Sequence, residues 1–159
     1  MKSLSLRALK VLTMSAIVTL GATNTAQAKD MAPKVVPPEA AKWIPMIPEM
    51  GNKGPAFTIV FGNPGVMGKP FGGMFRVPAG GESPLHTHTH TSDYWAVMVS
   101  GIESAREKPE DSPTSIPPGS TWYQPAKAPH INKCMGPEDC VFFVYYPKGM
   151  DYIPTNTTK

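Results

Sequence analysis

From about residue 55 onward, short apolar stretches alternate with turns rich in glycine and proline. No window of a dozen residues has the 3.6-residue period of an amphipathic helix. Apolar and β-branched runs of this length, separated by such turns, are typical of an all-β sandwich or barrel. The runs that predict strands are residues 57–61, 73–77, 85–89, 94–99, 102–105, 121–124, 131–134 and 141–146.

Two local expectations accompany this pattern. Residues 102–105 follow Ser100-Gly101 directly, so we expect them to return as the hairpin partner of residues 94–99. Residues 107–118 are charged and rich in proline, and we expect them to form a mobile loop.

The first residues have the layout of a secretory signal peptide. Lys2, Arg7 and Lys10 precede a largely apolar run over residues 11–21, and Ala26-Gln27-Ala28 is a small-x-small cleavage site. The apolar run is too short for a permanent membrane span. We therefore expect residues 1–28 to be removed and the mature protein to be periplasmic or secreted.

Removal of that segment changes the charge. The full chain has 15 Lys and Arg residues against 12 Asp and Glu residues. Three of the basic residues lie in the signal, which leaves 12 against 12. A mature chain with no net charge does not favour nucleic acid or a membrane surface as partner.

The remaining chain divides by composition. Residues 29–55 are rich in proline, which excludes a long helix or a central strand, and we interpret them as a lead-in arm with an edge strand near Trp43. Residues 56–150 form the predicted barrel, and residues 151–159 are a C-terminal tail.

Cys134 and Cys140 both fall in the exported part, where disulfides persist. The intervening residues include Gly136 and Pro137, so a turn can bring the two thiols together. We favour a disulfide, with free thiols or a thiolate ligand as the alternatives.

Four histidines are the strongest chemical signal. His86, His88 and His90 alternate with threonine, and an extended strand turns residues i, i+2 and i+4 to one face. Neutral imidazole is a common ligand of zinc, iron, copper and nickel. A solvated polar edge strand would have the same pattern, so the setting of the fourth histidine, His130, matters.

That setting resembles the cupin superfamily. Its first motif joins His-x-His to a glutamate and then, after six residues, a glycine. The run from His88 and His90 to Gly101 is similar, with Tyr94 at the glutamate position and Gly101 as the closing glycine. Anti-sigma-factor-type cupins and poorly characterised periplasmic cupins look most similar. The resemblance implies a single-domain double-stranded β-helix, or jelly-roll, barrel.

The second cupin motif resembles the stretch from Gly119 to Cys134. Gly119, Pro125 and His130 match it, whereas Lys127 replaces a glycine and Cys134 replaces an asparagine.

The first motif can also be read in a second register. With His86 and His88 as the pair, Gly80 takes the upstream glycine position and Asp93 the acidic one, but the closing glycine comes one residue late. We prefer His88 and His90, because the strand after Tyr94 must pair in a fixed register.

In the preferred register the resemblance implies that His88, His90 and His130 bind the metal. His86 is then a fourth ligand, a residue beside the ligands or a residue at the lip of the site. Asp93 can orient an imidazole through its ring N–H, and Tyr94 can donate a hydrogen bond at the centre.

Seven aromatic residues on the predicted strands are expected mainly to fill the core, with one face of a strand free to line a pocket. They are Trp95, Trp122, Tyr123, Phe142, Phe143, Tyr145 and Tyr146.

Three neutral imidazoles leave a divalent ion with its full charge and with open positions, which favours an anionic or chelating molecule. The cofactor implied is one divalent ion, Fe, Zn, Mn, Ni or Cu, with Fe or Zn favoured. Cupins with three histidines include iron(II) enzymes that split carbon–carbon bonds with dioxygen.

We therefore expect an exported metal-binding cupin. The enzyme class that the resemblance implies for it is a mononuclear non-haem iron dioxygenase acting on a small oxygenated organic molecule. The alternative is a non-catalytic metal-dependent binding or sensing cupin. The expected partner is a small-molecule ligand or substrate. We expect no membrane association after signal cleavage, and a homodimer is one possibility.

Overall fold

The protein forms antiparallel sheets in a computed structural model that describes residues 34–83, 86–87 and 93–155. Eleven strands are present in these ranges: β1 Ile44–Pro45, β2 Ala56–Phe61, β3 Phe71–Val77, β4 His86–Thr87, β5 Tyr94–Ser100, β6 Glu103–Arg106, β7 Thr114–Ile116, β8 Thr121–Gln124, β9 Ile131–Cys134, β10 Cys140–Tyr146 and β11 Ile153–Pro154. In the described part of the chain, 3-10 helical segments precede β2 at Pro38–Ala40 and Pro48–Lys53, the second of which is interrupted by non-helical backbone at Gly51. The signal peptide predicted over residues 1–28 lies outside the described residues.

The strands form one large sheet and two smaller ones. The large sheet has the order β1-β2-β3-β10-β5-β8, a second sheet has the order β7-β6-β9, and β4 pairs with β11. Every pairing is antiparallel. The predicted all-β class is therefore confirmed, and an edge strand follows Trp43 as expected.

The core lies between the large sheet and the β7-β6-β9 sheet. Alternate residues of β3, β5 and β10 point into it, as the burial of these strands shows. The core residues are Phe57, Phe71, Phe75, Val77, Tyr94, Ala96, Met98, Ile116, Cys134, Cys140, Phe142, Val144 and Tyr146. Ile116 and Cys134 come from the smaller sheet, so both sheets share one core.

Two local expectations are wrong. β6 does not pair with β5 but with β7 and β9, because the chain turns at Gly101 and passes to the other sheet. The predicted mobile loop over residues 107–118 contains strand β7, which completes that sheet. Local sequence could not reveal either feature, since both depend on partners distant in the chain.

The two cysteines form a disulfide, as favoured from the sequence. Cys134 on β9 and Cys140 on β10 are fully buried and have Cα atoms 5.6 Å apart. The bond links the smaller sheet to the large one, and it is compatible with an oxidising compartment. Among the described residues, no helix is long and apolar enough to cross a membrane.

Candidate functional site

His130 is a buried residue immediately before β9, with 3% of its surface exposed. Its Nδ1 lies 3.1 Å from the carbonyl oxygen of Ala128. A carbonyl accepts only, so this contact places the ring proton on Nδ1 and leaves a lone pair on Nε2. A backbone carbonyl on the second nitrogen is the usual arrangement of a metal-binding histidine.

Tyr94, the first residue of β5, faces that lone pair. Its hydroxyl lies 3.4 Å from Nε2 of His130 and donates to it, and the Tyr94 ring packs on Tyr146 with centroids 5.0 Å apart. Burial raises the pKa of Tyr94 well above its ordinary value, and the nearby Glu103 carboxyl adds to the effect. The hydroxyl therefore stays protonated and acts as a hydrogen-bond donor.

Tyr94 and His130 line a small cavity of about 40 Å³. This volume is sufficient for a water molecule or an ion. Ser83 and Tyr152 belong to the same lining, together with Asn132, Tyr146 and apolar core residues. Ser83 and Tyr94, which stand before and after residues 84–92 in the chain, thus both line the cavity.

The backbone of His86 is placed near the same cavity by strand pairing. In β4, His86 pairs with Pro154 and Thr87 with Ile153, and Tyr152 directly precedes Ile153. The extended conformation predicted for this segment thus holds at residues 86–87. His88 and His90 lie outside the described residues, and the ligand set stays a prediction.

The described residues around His130 have the chemistry that a metal centre requires. His130 lines the small cavity, and the carbonyl on its Nδ1 leaves Nε2 as the nitrogen that could bind an ion. Within residues 34–83, 86–87 and 93–155, no three His, Cys, Asp or Glu side chains form a cluster that would hold an ion. A site here therefore depends on histidines contributed by residues 84–92.

Asp93 has partners on the loop between β8 and β9. Its Oδ1 accepts from the Ala126 amide at 3.0 Å, and the Tyr123 hydroxyl donates to the same carboxylate. The Ala126 bond, followed by the Tyr123 bond, lowers the pKa of Asp93. Asp93 thus ties the start of β5 to the loop that leads to His130. Its predicted role of orienting an imidazole stays a prediction, because His88 and His90 lie outside the described residues.

The interior also contains an acid that sequence reasoning missed. Glu103 on β6 is fully buried, and its Oε1 accepts from the Asn132 amide group. Its Oε2 has no hydrogen-bond partner among the described residues. Burial raises the pKa of Glu103 to about 8, opposed by the bond from Asn132. Glu103 is therefore largely neutral at pH 7 and adds little negative charge near the cavity.

The structure explains two departures from the cupin motifs, Lys127 and Cys134, and one match, Gly101. Lys127, which stands where the family has a glycine, adopts φ +65°, the left-handed conformation that glycine adopts most easily. Gly101 matches the closing glycine and adopts φ +74° at the crossover from β5 to β6. Cys134, in place of the asparagine, forms the disulfide.

His130 also lines a larger cleft. Its volume is about 490 Å³, within the range of small-molecule sites. β6, β7 and β8 form its walls with the loop over residues 125–130, and the described lining includes Ser115, Trp122 and Gln124. His130 thus belongs to the lining of both the small cavity and a cleft that is wide enough for an organic molecule.

Comparison with known proteins gives the fold. No family model and no curated protein sequence matches the chain. Among solved structures, the polyketide cyclase RemF from Streptomyces resistomycificus is 18% identical with a TM-score of 0.62, covering 80% of this chain and 89% of its own. An RmlC-like cupin protein from Ralstonia eutropha is 21% identical with a TM-score of 0.55, covering 77% and 73%.

An acetylacetone dioxygenase candidate from Methylibium petroleiphilum is 16% identical with a TM-score of 0.56, covering 79% of this chain and 83% of its own. The identities are low, so these similarities establish the architecture. The chain has the cupin double-stranded β-helix fold, as the sequence motifs indicated, and its neighbours in structure include enzymes.

Proposed function

Given the cupin fold, we propose that this protein is an exported metal-binding enzyme, a mononuclear non-haem iron dioxygenase acting on a small oxygenated organic molecule. One observation carries the proposal. His130, whose Nδ1 is held by the Ala128 carbonyl, lines a small cavity together with Ser83 before the histidine-rich segment and Tyr94 after it. The secretory layout of residues 1–28 and the disulfide support export.

His88, His90 and His130 would hold the ion, with His86 as a candidate fourth ligand. When bound, a divalent iron ion supplies Lewis acidity and a place for dioxygen and substrate to meet. Because Glu103 is mostly neutral at pH 7 and the predicted ligands are uncharged, the centre would keep its positive charge and attract an anionic or chelating molecule.

The chain's own groups have separate tasks. The Ala128 carbonyl fixes the ring of His130 through Nδ1, and the Tyr94 hydroxyl supplies a protonated donor beside Nε2. Aromatic side chains, among them Phe75 and Tyr146, line the cavity, and the low dielectric constant they create would strengthen these polar contacts. The cleft of about 490 Å³ would receive the substrate.

Metal analysis of mature protein purified without a histidine tag tests the centre. We expect one divalent ion per chain, lost in His88→Ala, His90→Ala and His130→Ala. Lys133→Ala is the matched control. Lys133 is half-buried on β9, three residues after His130, and its variant should keep the ion. Protein that binds none of Fe, Zn, Mn, Ni or Cu would overturn the proposal.

Oxygen uptake after anaerobic iron loading, on a panel of diketones and phenolics, tests the reaction. Turnover that disappears in His130→Ala supports the enzyme. The second candidate function is a non-catalytic binding or sensing module, and the additional histidine favours it. A zinc site closed by His86, with His86→Ala lowering zinc affinity and no turnover with any metal, would establish the module instead.

A further inference from the structure

After strand β10 the chain returns to the cavity beside His130. Within the segment that the sequence analysis describes as a C-terminal tail, Tyr152 lines this cavity together with His130 and Tyr94. Strand β11, Ile153–Pro154, follows Tyr152 directly. The tail therefore contributes both a side chain to the cavity wall and a strand beside it.

That strand pairs with β4, the strand that contains His86. The pairing is antiparallel, with Ile153 opposite Thr87 and Pro154 opposite His86. In the described part of the chain, no other strand pairs with β4. Both strands have only two residues, and an isolated pair of strands is marginally stable at best in water. The backbone position of β4 therefore depends on what holds β11 in place.

Contacts just before Tyr152 hold β11 in place. The carbonyl oxygen of Lys148 accepts from the Gly68 amide at 2.9 Å, and the Met150 amide donates to the carbonyl oxygen of Pro64 at 3.3 Å. The side chain of Met150 also packs against the core. The chain that leads to β11 is thus fixed on the loop between β2 and β3.

Gly149, between these two anchors, permits the close approach. Its φ is +89°, a conformation that glycine adopts most easily. A Cβ at this position would lie 3.0 Å from the carbonyl oxygen of Val66 and 3.3 Å from the Cα of Met67. The backbone here lies directly against the loop, and a side chain would push it away.

The same segment lies close to a second residue that borders the predicted ligands. Thr87 and Asp93 stand on either side of residues 88–92. The Ala126 amide is the main cause of the lowered pKa of Asp93, and the nearby charge of Lys148 adds to the effect. The C-terminal segment therefore lies beside Asp93 through Lys148 and beside Thr87 through β11.

We propose that the C-terminal segment, residues 148–155, positions the metal centre, with Tyr152 as its residue at the cavity. The inference rests on the metal binding proposed above. Its support is that β11 fixes the backbone of His86, a candidate ligand, while Tyr152, one residue before β11, lines the cavity with His130. One short stretch of chain thus holds a candidate ligand strand and forms part of the cavity wall.

A chain that ends at Asp151 tests the role of β11. It keeps the contacts of Lys148 and Met150 but lacks Tyr152 and the strand. Because groups that hold ligands in place contribute to affinity without touching the ion, its zinc affinity should be about 10- to 100-fold lower than that of the wild type. A chain that ends at Thr155 keeps β11 and is the matched control, with the affinity of the wild type.

Three measurements on the mature protein separate positioning from general stability. Chelator competition measures the zinc affinity, and the visible absorption of the cobalt(II) form reports the ligand geometry, which should change in the chain that ends at Asp151. Backbone hydrogen exchange of the metal-free protein should become faster at β4 in that chain, because the strand has lost its partner. Exchange over β3 and β10 should stay slow.

Two full-length variants test the side chain and serve if the shortened chain does not fold. Tyr152→Ala should weaken zinc binding about tenfold, whereas Tyr152→Phe keeps the ring in the cavity wall and should bind like the wild type.

The outcomes distinguish this inference from the proposed function. Unchanged zinc affinity and an unchanged cobalt spectrum in the shortened chain, or in Tyr152→Ala where that chain does not fold, would overturn the positioning role alone. A wild type that binds no divalent ion would instead overturn the metal centre, and this inference with it.

Discussion

The hydroxyl of Tyr94 lies 3.4 Å from Nε2 of His130, although the two residues are 36 positions apart in the chain. The hydroxyl donates to the nitrogen that an ion would use. Tyr94 also interacts with Trp122, whose indole N–H can only donate. The hydroxyl therefore links two strands of the large sheet to the histidine.

This relationship predicts that Tyr94→Phe destabilises the metal-free protein more than the metal-loaded one. Removing the hydroxyl should lower the free energy of unfolding of the metal-free protein by about 1–2 kcal/mol, because buried partners lose a hydrogen bond. An ion on Nε2 would replace one of those bonds. Urea unfolding with and without zinc measures the difference, and Tyr145→Phe on the outer face is the control. Equal losses in both forms would contradict the prediction.

Glu103 predicts a pH dependence of stability. Burial raises its pKa to about 8 in the folded protein, whereas the ordinary value is 4.5. The folded protein keeps a proton over this interval that the unfolded chain has released. The contribution of Glu103 to stability is therefore fully present below pH 4.5 and is lost progressively as the pH rises to about 8.

Urea unfolding of the metal-free protein at several pH values between about 5 and 8 measures this effect. The difference in unfolding free energy between wild type and Glu103→Gln isolates the carboxyl from the histidines. As the pH rises, the unfolding free energy of the wild type should fall steadily relative to that of Glu103→Gln. Glu110→Gln, at an exposed position, should show no such trend. A difference that does not vary with pH would show that Glu103 is not protonated in the folded state.

The disulfide predicts a measurable loss on reduction. Replacing both Cys134 and Cys140 by alanine should lower the free energy of unfolding by about 2 kcal/mol, since the closed loop is short. A reducing agent should destabilise the wild type by a similar amount and leave the double variant unchanged. The opposite result, a wild type indifferent to reduction, would show that the bond contributes nothing to stability.

Two glycines with positive φ predict different costs. A Cβ at Gly101 would lie 2.8 Å from the Asp139 carbonyl oxygen, whereas a Cβ at Gly119 would meet nothing within 4 Å. Both substitutions to alanine force a left-handed residue, at about 1 kcal/mol. Gly101→Ala should cost about 2 kcal/mol more, because its neighbours are backbone atoms. Thermal unfolding of the two variants compares them directly, and equal melting temperatures would rule out close packing at the crossover.

Much of the fold could be predicted because its signals are local. The strands matched by β2, β3, β5, β8, β9 and β10 follow from apolar runs and from turn residues between them. The first cupin motif led to Tyr94, and the second led to His130. Gly101 and Gly119 were found through the same motifs, and both adopt a positive φ, a conformation that glycine adopts most easily although Lys127 adopts it as well.

Glu103 could not be predicted, because its sequence neighbours, Ile102 and Ser104, give no sign of burial. Its environment is made by Asn132, 29 residues away.

Strand β5 posed a related difficulty. Tyr94, Trp95, Ala96 and Val97 are apolar on both faces, so alternation alone could not say which face meets solvent. The structure shows which of the aromatic residues fill the core. Trp122, Phe142 and Tyr146 point inward, whereas Trp95, Tyr123 and Tyr145 point outward.

The sequence by itself thus determined the class of the fold, most of its strands and the residue types of the candidate site, because these depend on side-chain period and on backbone conformation at single residues. Only the tertiary structure decided that β6 joins the second sheet, that Tyr94 donates to His130 and that Trp95 lies on an open apolar face. These features depend on pairing between distant strands, whose free energy is set by the packing of the whole barrel.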